Sequence, residues 1–183
     1  MAEVSDADRY FARMQPLGWY RGQVLACTLS DNPWLPNYFD PPEGADLNAA
    51  FREHLERLWA RWLPEATGPQ FNGMAVVAAG LLSYGRLEMA DYILGQLPPQ
   101  PVRGGYCNSL AVRLAKVLLP LPAELRECGT WVEGSPEAEA VRRWLAEHRS
   151  RLVWDPSAER FRFSSGPGAA PDAETGAAGP SRH

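Results

Sequence analysis

Apolar residues return every three or four positions over 51–62: Phe51, Leu55, Leu58, Trp59 and Trp62 line one side, and Arg52, Glu53, Glu56, Arg57 and Arg61 the other. That is the 3.6-residue period of an amphipathic helix. Asp46 or Asn48 is placed to cap it, and Pro64 stops it after Leu63. Over 73–84 the pattern changes, because Met74, Val76, Val77, Leu81 and Leu82 leave almost no polar side. This predicts a central helix, apolar nearly all round. Residues 86–97 return to a single apolar side through Leu87, Ala90, Ile93, Leu94 and Leu97, with Gly85 as a tight joint between the two helices.

The flanking segments are shorter. Residues 1–14 predict a helix with Tyr10, Phe11 and Met14 on one side, ended by Gly18, and 19–29 reads as a short strand or extended piece. Beyond the stiff spacer Pro98-Pro99-Gln100-Pro101, an apolar helix covers 110–119 and gives out before Pro120 and Pro122. Ser135 followed by Pro136 is a cap and a first-position proline, opening a helix whose inner stripe is Val141, Trp144, Leu145 and His148. Residues 151–154 and 160–163 alternate sides around Asp155-Pro156-Ser157-Ala158-Glu159 and predict a small hairpin. The fold class expected is mainly α: a small irregular helical bundle with a central αα-hairpin, an extended aromatic and proline-rich loop near the N-terminus, and a short C-terminal β-hairpin.

A chain of 183 residues suits one core. Residues 1–164 are read as a single globular domain. Residues 165–183, rich in Gly, Pro and Ala, are read as a disordered tail. The spacing of Ala78, Leu81, Gly85, Ala90 and Leu94 resembles one tetratricopeptide-type hairpin. It does not recur at the period of about 34 residues that a repeat array needs, so an isolated αα-hairpin is expected.

Charge and cysteine usage narrow the function classes. The net charge is -4, and residues 1–50 hold three Arg against seven Asp and Glu. No basic stripe suited to nucleic acid is present. The longest apolar run, 74–82, is interrupted by Gly80 and is too short for a bilayer. The first residues lack a basic stretch followed by an apolar one, so the cytoplasm is expected. Cys27, Cys107 and Cys128 are odd in number and widely spaced, which argues against a disulfide framework. No metal-ligand spacing and no glycine-rich phosphate loop occurs, so neither a metal nor a cofactor is implied.

Two segments carry candidate chemistry. The loop over 31–46 combines Trp34, Tyr38 and Phe39 with Asp31, Asp40 and Glu43, and prolines hold it stiff. Aromatic anchors among acids are the composition of a contact surface for a basic partner. The second segment is Arg103-Gly104-Gly105-Tyr106-Cys107-Asn108-Ser109, which delivers a thiol to the first turn of a helix, where free amides and the helix field favour a thiolate. Its string Arg-Gly-Gly-Tyr-Cys resembles the catalytic-cysteine segment of arylamine N-acetyltransferases. That resemblance implies Cys107 as an acyl-accepting nucleophile, with His148 and Asp155 as candidates to complete a Cys-His-Asp triad. Asn72 and Asn108 cap or turn into two helices. If both helix openings share a cleft, they would form a polar, anion-friendly pocket with Arg103 and Tyr106.

Three function classes follow. The first is a non-catalytic protein-interaction domain, of adaptor or toxin-neutralising type, offering the acidic aromatic loop to a protein partner. The second is a cysteine-dependent acyltransferase or hydrolase built on Cys107, His148 and Asp155. The third is a small-molecule or glycan-binding protein using Trp34, Tyr38, Trp19 and the polar helix openings.

Overall fold

The computed structural model describes residues 6–30, 39–63, 72–99, 106–129 and 131–164, with only the backbone of 6, 7, 29, 30, 72 and 106–108. The described helices are α1 (Asp6–Met14), α2 (Gly18–Ser30), α3 (Leu47–Trp62), α4 (Asn72–Leu82), α5 (Glu88–Gly95), α6 (Tyr106–Leu118), α7 (Ala123–Glu127) and α8 (Pro136–His148). They are followed by an antiparallel pair, β1 (Leu152–Asp155) and β2 (Arg160–Phe163). This is a mainly helical bundle with a small C-terminal hairpin. The predicted tail, 165–183, lies outside the described residues.

Helix α4 is the hub because its sequence offers no polar face to water. Met74, Val76, Val77, Ala78, Ala79, Leu81 and Leu82 have no exposed surface, and α2, α3, α5 and α6 all pack against the helix. Gly80 sets the approach of α2 and α3. A Cβ there would lie 2.7 Å from Leu55 Cδ1 and 3.0 Å from Val24 Cγ1.

The directions of the helices follow from their end contacts. Ser83, just past α4, and Leu118, the last residue of α6, line one cavity with the first turn of α2. Helices α4 and α6 therefore run parallel and α2 runs against them. Asn48, in the first turn of α3, accepts a hydrogen bond from Tyr84 at 3.4 Å, so α3 is also antiparallel to α4.

The capping predictions hold in atomic detail. Asp46 Oδ1 accepts from the amides of Asn48 and Ala49 at 3.0 and 3.1 Å, and Ser135 Oγ accepts from Ala138 at 3.1 Å. The αα-hairpin of α4 and α5 is present, and Gly85 turns between them at φ 87. Trp154 lies against that glycine. A Cβ at position 85 would sit 2.8 Å from Trp154 Cγ, so the turn is also the seat of the β-hairpin. The register pairs Leu152 with Phe163 and Trp154 with Phe161, whose rings meet edge to face at 5.1 Å.

One element departs from expectation. Residues 19–29 form helix rather than strand, as α2. The buried positions in it are Arg21, Val24, Leu25, Cys27 and Thr28, and 21, 24, 25 and 28 carry the helical period. Its first member is an arginine. Counted as polar, Arg21 removes the opening turn of the pattern and leaves a short unbroken apolar run. Gly18, at φ 79, caps the 3-10 turn Gln15–Leu17 that continues α1, its N–H donating to the Gln15 carbonyl, and also opens α2.

Candidate functional site

The least ordinary chemistry in the bundle surrounds Arg21. A long cation is seldom buried without partners, yet Arg21 is only 7% exposed. It collects acceptors from three directions. Its Nη2 donates to the Ser83 carbonyl at 2.8 Å, taking one of the orphan carbonyls at the end of α4. Its Nη1 donates to Asn48 Oδ1 at 3.0 Å and to Glu159 Oε1 at 2.6 Å. The guanidinium also lies 4.2 Å from the centre of the Tyr84 ring, a cation–π contact. Burial pushes the Tyr84 hydroxyl well above its ordinary range against the pull of Arg21, so the phenol stays neutral and donates to Asn48. Arg21 Nε is buried and has no hydrogen-bond partner among the described residues.

Trp19, two positions earlier, faces outward and is 59% exposed. Its ring meets Tyr20 edge to face at 5.2 Å and lies 5.6 Å from the Arg113 guanidinium of α6. Trp19, Tyr20, Arg21 and Glu159 share the lining of one cavity. Of these, Trp19 is a candidate on sequence grounds, whereas Arg21 and Glu159 are not among the expected site residues. A burial period that closes only when Arg21 is counted inside was the available signal.

The acidic loop is partly described. Asp31, Trp34 and Tyr38 lie outside the described residues. Phe39, predicted as part of the contact surface, is instead a core residue at 3% exposure, packed on Phe51 at 5.1 Å and His54 at 5.3 Å. It is buried because a bare aromatic ring gains more from that apolar contact than from water. Tyr10 donates to the Phe39 carbonyl at 3.1 Å. Asp40 and Glu43 remain at the surface, Asp40 paired with Arg13 at 2.9 Å. Glu43 borders an open cleft of about 320 Å³ shared with Arg13, Pro42 and Leu47.

The three residues of the thiol hypothesis are not joined by described contacts. Cys107 is the second residue of α6, with its side chain outside the described residues. His148 closes α8, stacked on Trp144 at 4.9 Å. Its Nδ1 lies 2.8 Å from the Trp144 carbonyl, which can only accept, so Nδ1 carries the proton. Asp155 is committed to its own turn. One oxygen accepts from the Ser157 amide, the Ser157 hydroxyl and the Ala158 amide at 3.0, 2.6 and 3.1 Å, and the other meets Arg162 at 3.1 Å. The Ser157 hydroxyl, then the Ala158 amide, hold this carboxyl below its ordinary value. No histidine–carboxylate hydrogen bond occurs among the described residues.

Of the predicted polar pocket, Arg103 lies outside the described residues, as do the side chains of Asn72, Tyr106 and Asn108. The backbones of the last three open α4 and α6. Because those helices run parallel, the two openings lie at the same end of the bundle, opposite Arg21.

Among the described residues no group of three or more His, Cys, Asp or Glu is placed to hold a metal ion. No described helix is long and apolar enough to cross a membrane. Neither Cys27 nor Cys128 is in a disulfide among the described residues. Comparison with known protein families, with curated proteins and with solved structures gives no match.

Proposed function

We propose that the chain is a non-catalytic protein-interaction domain, of adaptor or toxin-neutralising type, which offers the acidic segment around Asp40 and Glu43 to a partner with a basic surface. The observation that carries this reading is the anchoring of Phe39. Its ring is seated in the core while its two acidic neighbours stay in water, so the acids are held in place before any partner arrives. Preorganised charge raises the rate of encounter and selects partners of opposite sign. Trp34 and Tyr38 belong to the same surface in this reading, as aromatic anchors between the acids.

The test compares recovery of a binding partner by the wild-type chain with two variants, Asp40→Lys/Glu43→Lys and Trp34→Ala/Tyr38→Ala. The charge-reversed protein is expected to lose association at low salt, and the aromatic variant to dissociate faster. Equal recovery by all three would overturn the proposal.

A second reading, a small-molecule binding protein, is favoured by the exposed Trp19 beside Arg21 and Arg113. Trp19 indole emission that is unchanged by every carboxylate, sugar and metabolite tested would count against it.

A further inference from the structure

We propose that the opening turn of α2 and the Arg21 guanidinium form a receptor for a small carboxylate, of which Glu159 is the built-in occupant. The first amides of a helix precede the first intrahelical bond and carry the positive end of the helix dipole. In α2, Gly18 N–H turns back to the Gln15 carbonyl of the preceding 3-10 turn, and Trp19 and Tyr20, next in the opening turn, line the same cavity as Arg21. Arg21 supplies an independent sign of a ligand. It is more than nine-tenths buried, lines the same cavity, and its Nε has no partner among the described residues.

The size of the cavity decides how a ligand enters. At about 20 Å³ it admits one water-sized group. A carboxylate fits only by taking the place of Glu159. Glu159 is suited to leaving. Its side chain is 53% exposed, and its hydrogen bond and ion pair are both with Arg21, 138 positions away. Its backbone sits at φ 48, a region a non-glycine residue seldom occupies. Once it swings out, the guanidinium keeps its bonds to Ser83 and Asn48 and faces the cavity without a counter-ion.

The same partners select the ligand. The Ser83 carbonyl already takes Nη2, so the free donors suit one singly charged carboxylate, whereas phosphate would bring a second charge toward a helix C-terminus. Trp19 lines the cavity, with the Arg113 guanidinium 5.6 Å from its ring, and would meet whatever the carboxylate is attached to.

The experiment titrates wild type and Glu159→Ala with acetate at constant ionic strength, balanced with chloride. The readouts are the thermal midpoint and the Trp19 indole resonance. Acetate is expected to raise the midpoint of the variant saturably, at a concentration about tenfold or more below that needed for wild type, where Glu159 competes from within the chain. Glu159→Gly, which accepts the positive φ, provides a second background. If both variants unfold in chloride, recovery of the folded state by acetate is the equivalent readout. The double variant Arg21→Met/Glu159→Ala removes both charges together and is expected to lose the response.

No acetate effect beyond chloride in either Glu159 variant would overturn the site. Equal half-saturation in variant and wild type would overturn Glu159 as occupant. A response retained in the double variant would place binding elsewhere. A phosphate response equal to or stronger than that to acetate would overturn the carboxylate assignment.

Discussion

Glu159 meets Arg21 at 2.6 Å and so ties the turn of the β-hairpin to the first turn of α2, across 138 positions of sequence. The partners are unlike in setting, with the arginine side chain 9% and the glutamate 53% exposed. The arginine is therefore the dependent member. Replacing it with Met strands the Ser83 carbonyl and Asn48 as well as Glu159. Arg21→Met is expected to cost about 2–4 kcal/mol in urea unfolding, and Glu159→Ala less, because water reaches that side. In the double variant the two losses should fall short of their sum. Simple additivity would mean that the pair is not coupled.

A second expectation concerns Gly85. Alanine there must adopt φ 87 and would press its Cβ within 2.8 Å of the Trp154 ring. The combined strain and overpacking should cost about 3 kcal/mol. Pairing it with Trp154→Ala should relieve the overpacking and leave the backbone strain. Chemical denaturation of the single and double variants separates these parts.

His54 gives the stability a dependence on pH. It is 5% exposed, and burial, helped by the nearby Arg57, lowers its pKa from 6.5 to about 4. The unfolded chain then binds a proton below 6.5 that the folded chain refuses until about 4. The neutral-histidine contribution is complete above 6.5, declines between 6.5 and 4, and levels off below. His54→Leu should flatten this part of the profile. Equal slopes for the two proteins over that window would contradict the assignment.

Truncation tests the last strand. Cutting after Glu159 removes Phe161, 2% exposed, and Phe163, which packs on Trp144 and His148 at 6.1 and 5.5 Å. Losing one buried phenylalanine costs about 3–5 kcal/mol, so the thermal midpoint should fall by about 10 °C or more. Cutting after Ser164 keeps both rings and should leave the midpoint nearly unchanged.

What could be read in the sequence was what periodicity and local chemistry encode. The stripe of α3, the all-round apolar α4, the caps Asp46 and Ser135, the Gly85 turn and the hairpin each carry their signal within a few residues. What escaped depends on contacts between distant segments. Helix α2 was hidden because its burial period begins on Arg21, whose burial is satisfied by Ser83, Asn48 and Glu159, none of them near in sequence. The same arrangement hid the candidate carboxylate site. Phe39 is open to both readings from the sequence, since an aromatic residue in a polar loop reads alike whether it anchors inward or projects outward.

The parallel course of α4 and α6 gives the molecule two chemically distinct poles. At one, α2 begins where α4 and α6 end, and a single arginine joins that opening to the Ser83 carbonyl just past α4. At the other, α4 and α6 begin together, so their dipoles reinforce and no closing helix end offsets them within the pair. Helices α2 and α3 run against that pair, and Arg21 is itself matched by Glu159, so the helix fields offset one another along the bundle. What distinguishes the two poles is therefore local: at one, helix ends converge on a buried ion pair, and at the other two helices open side by side.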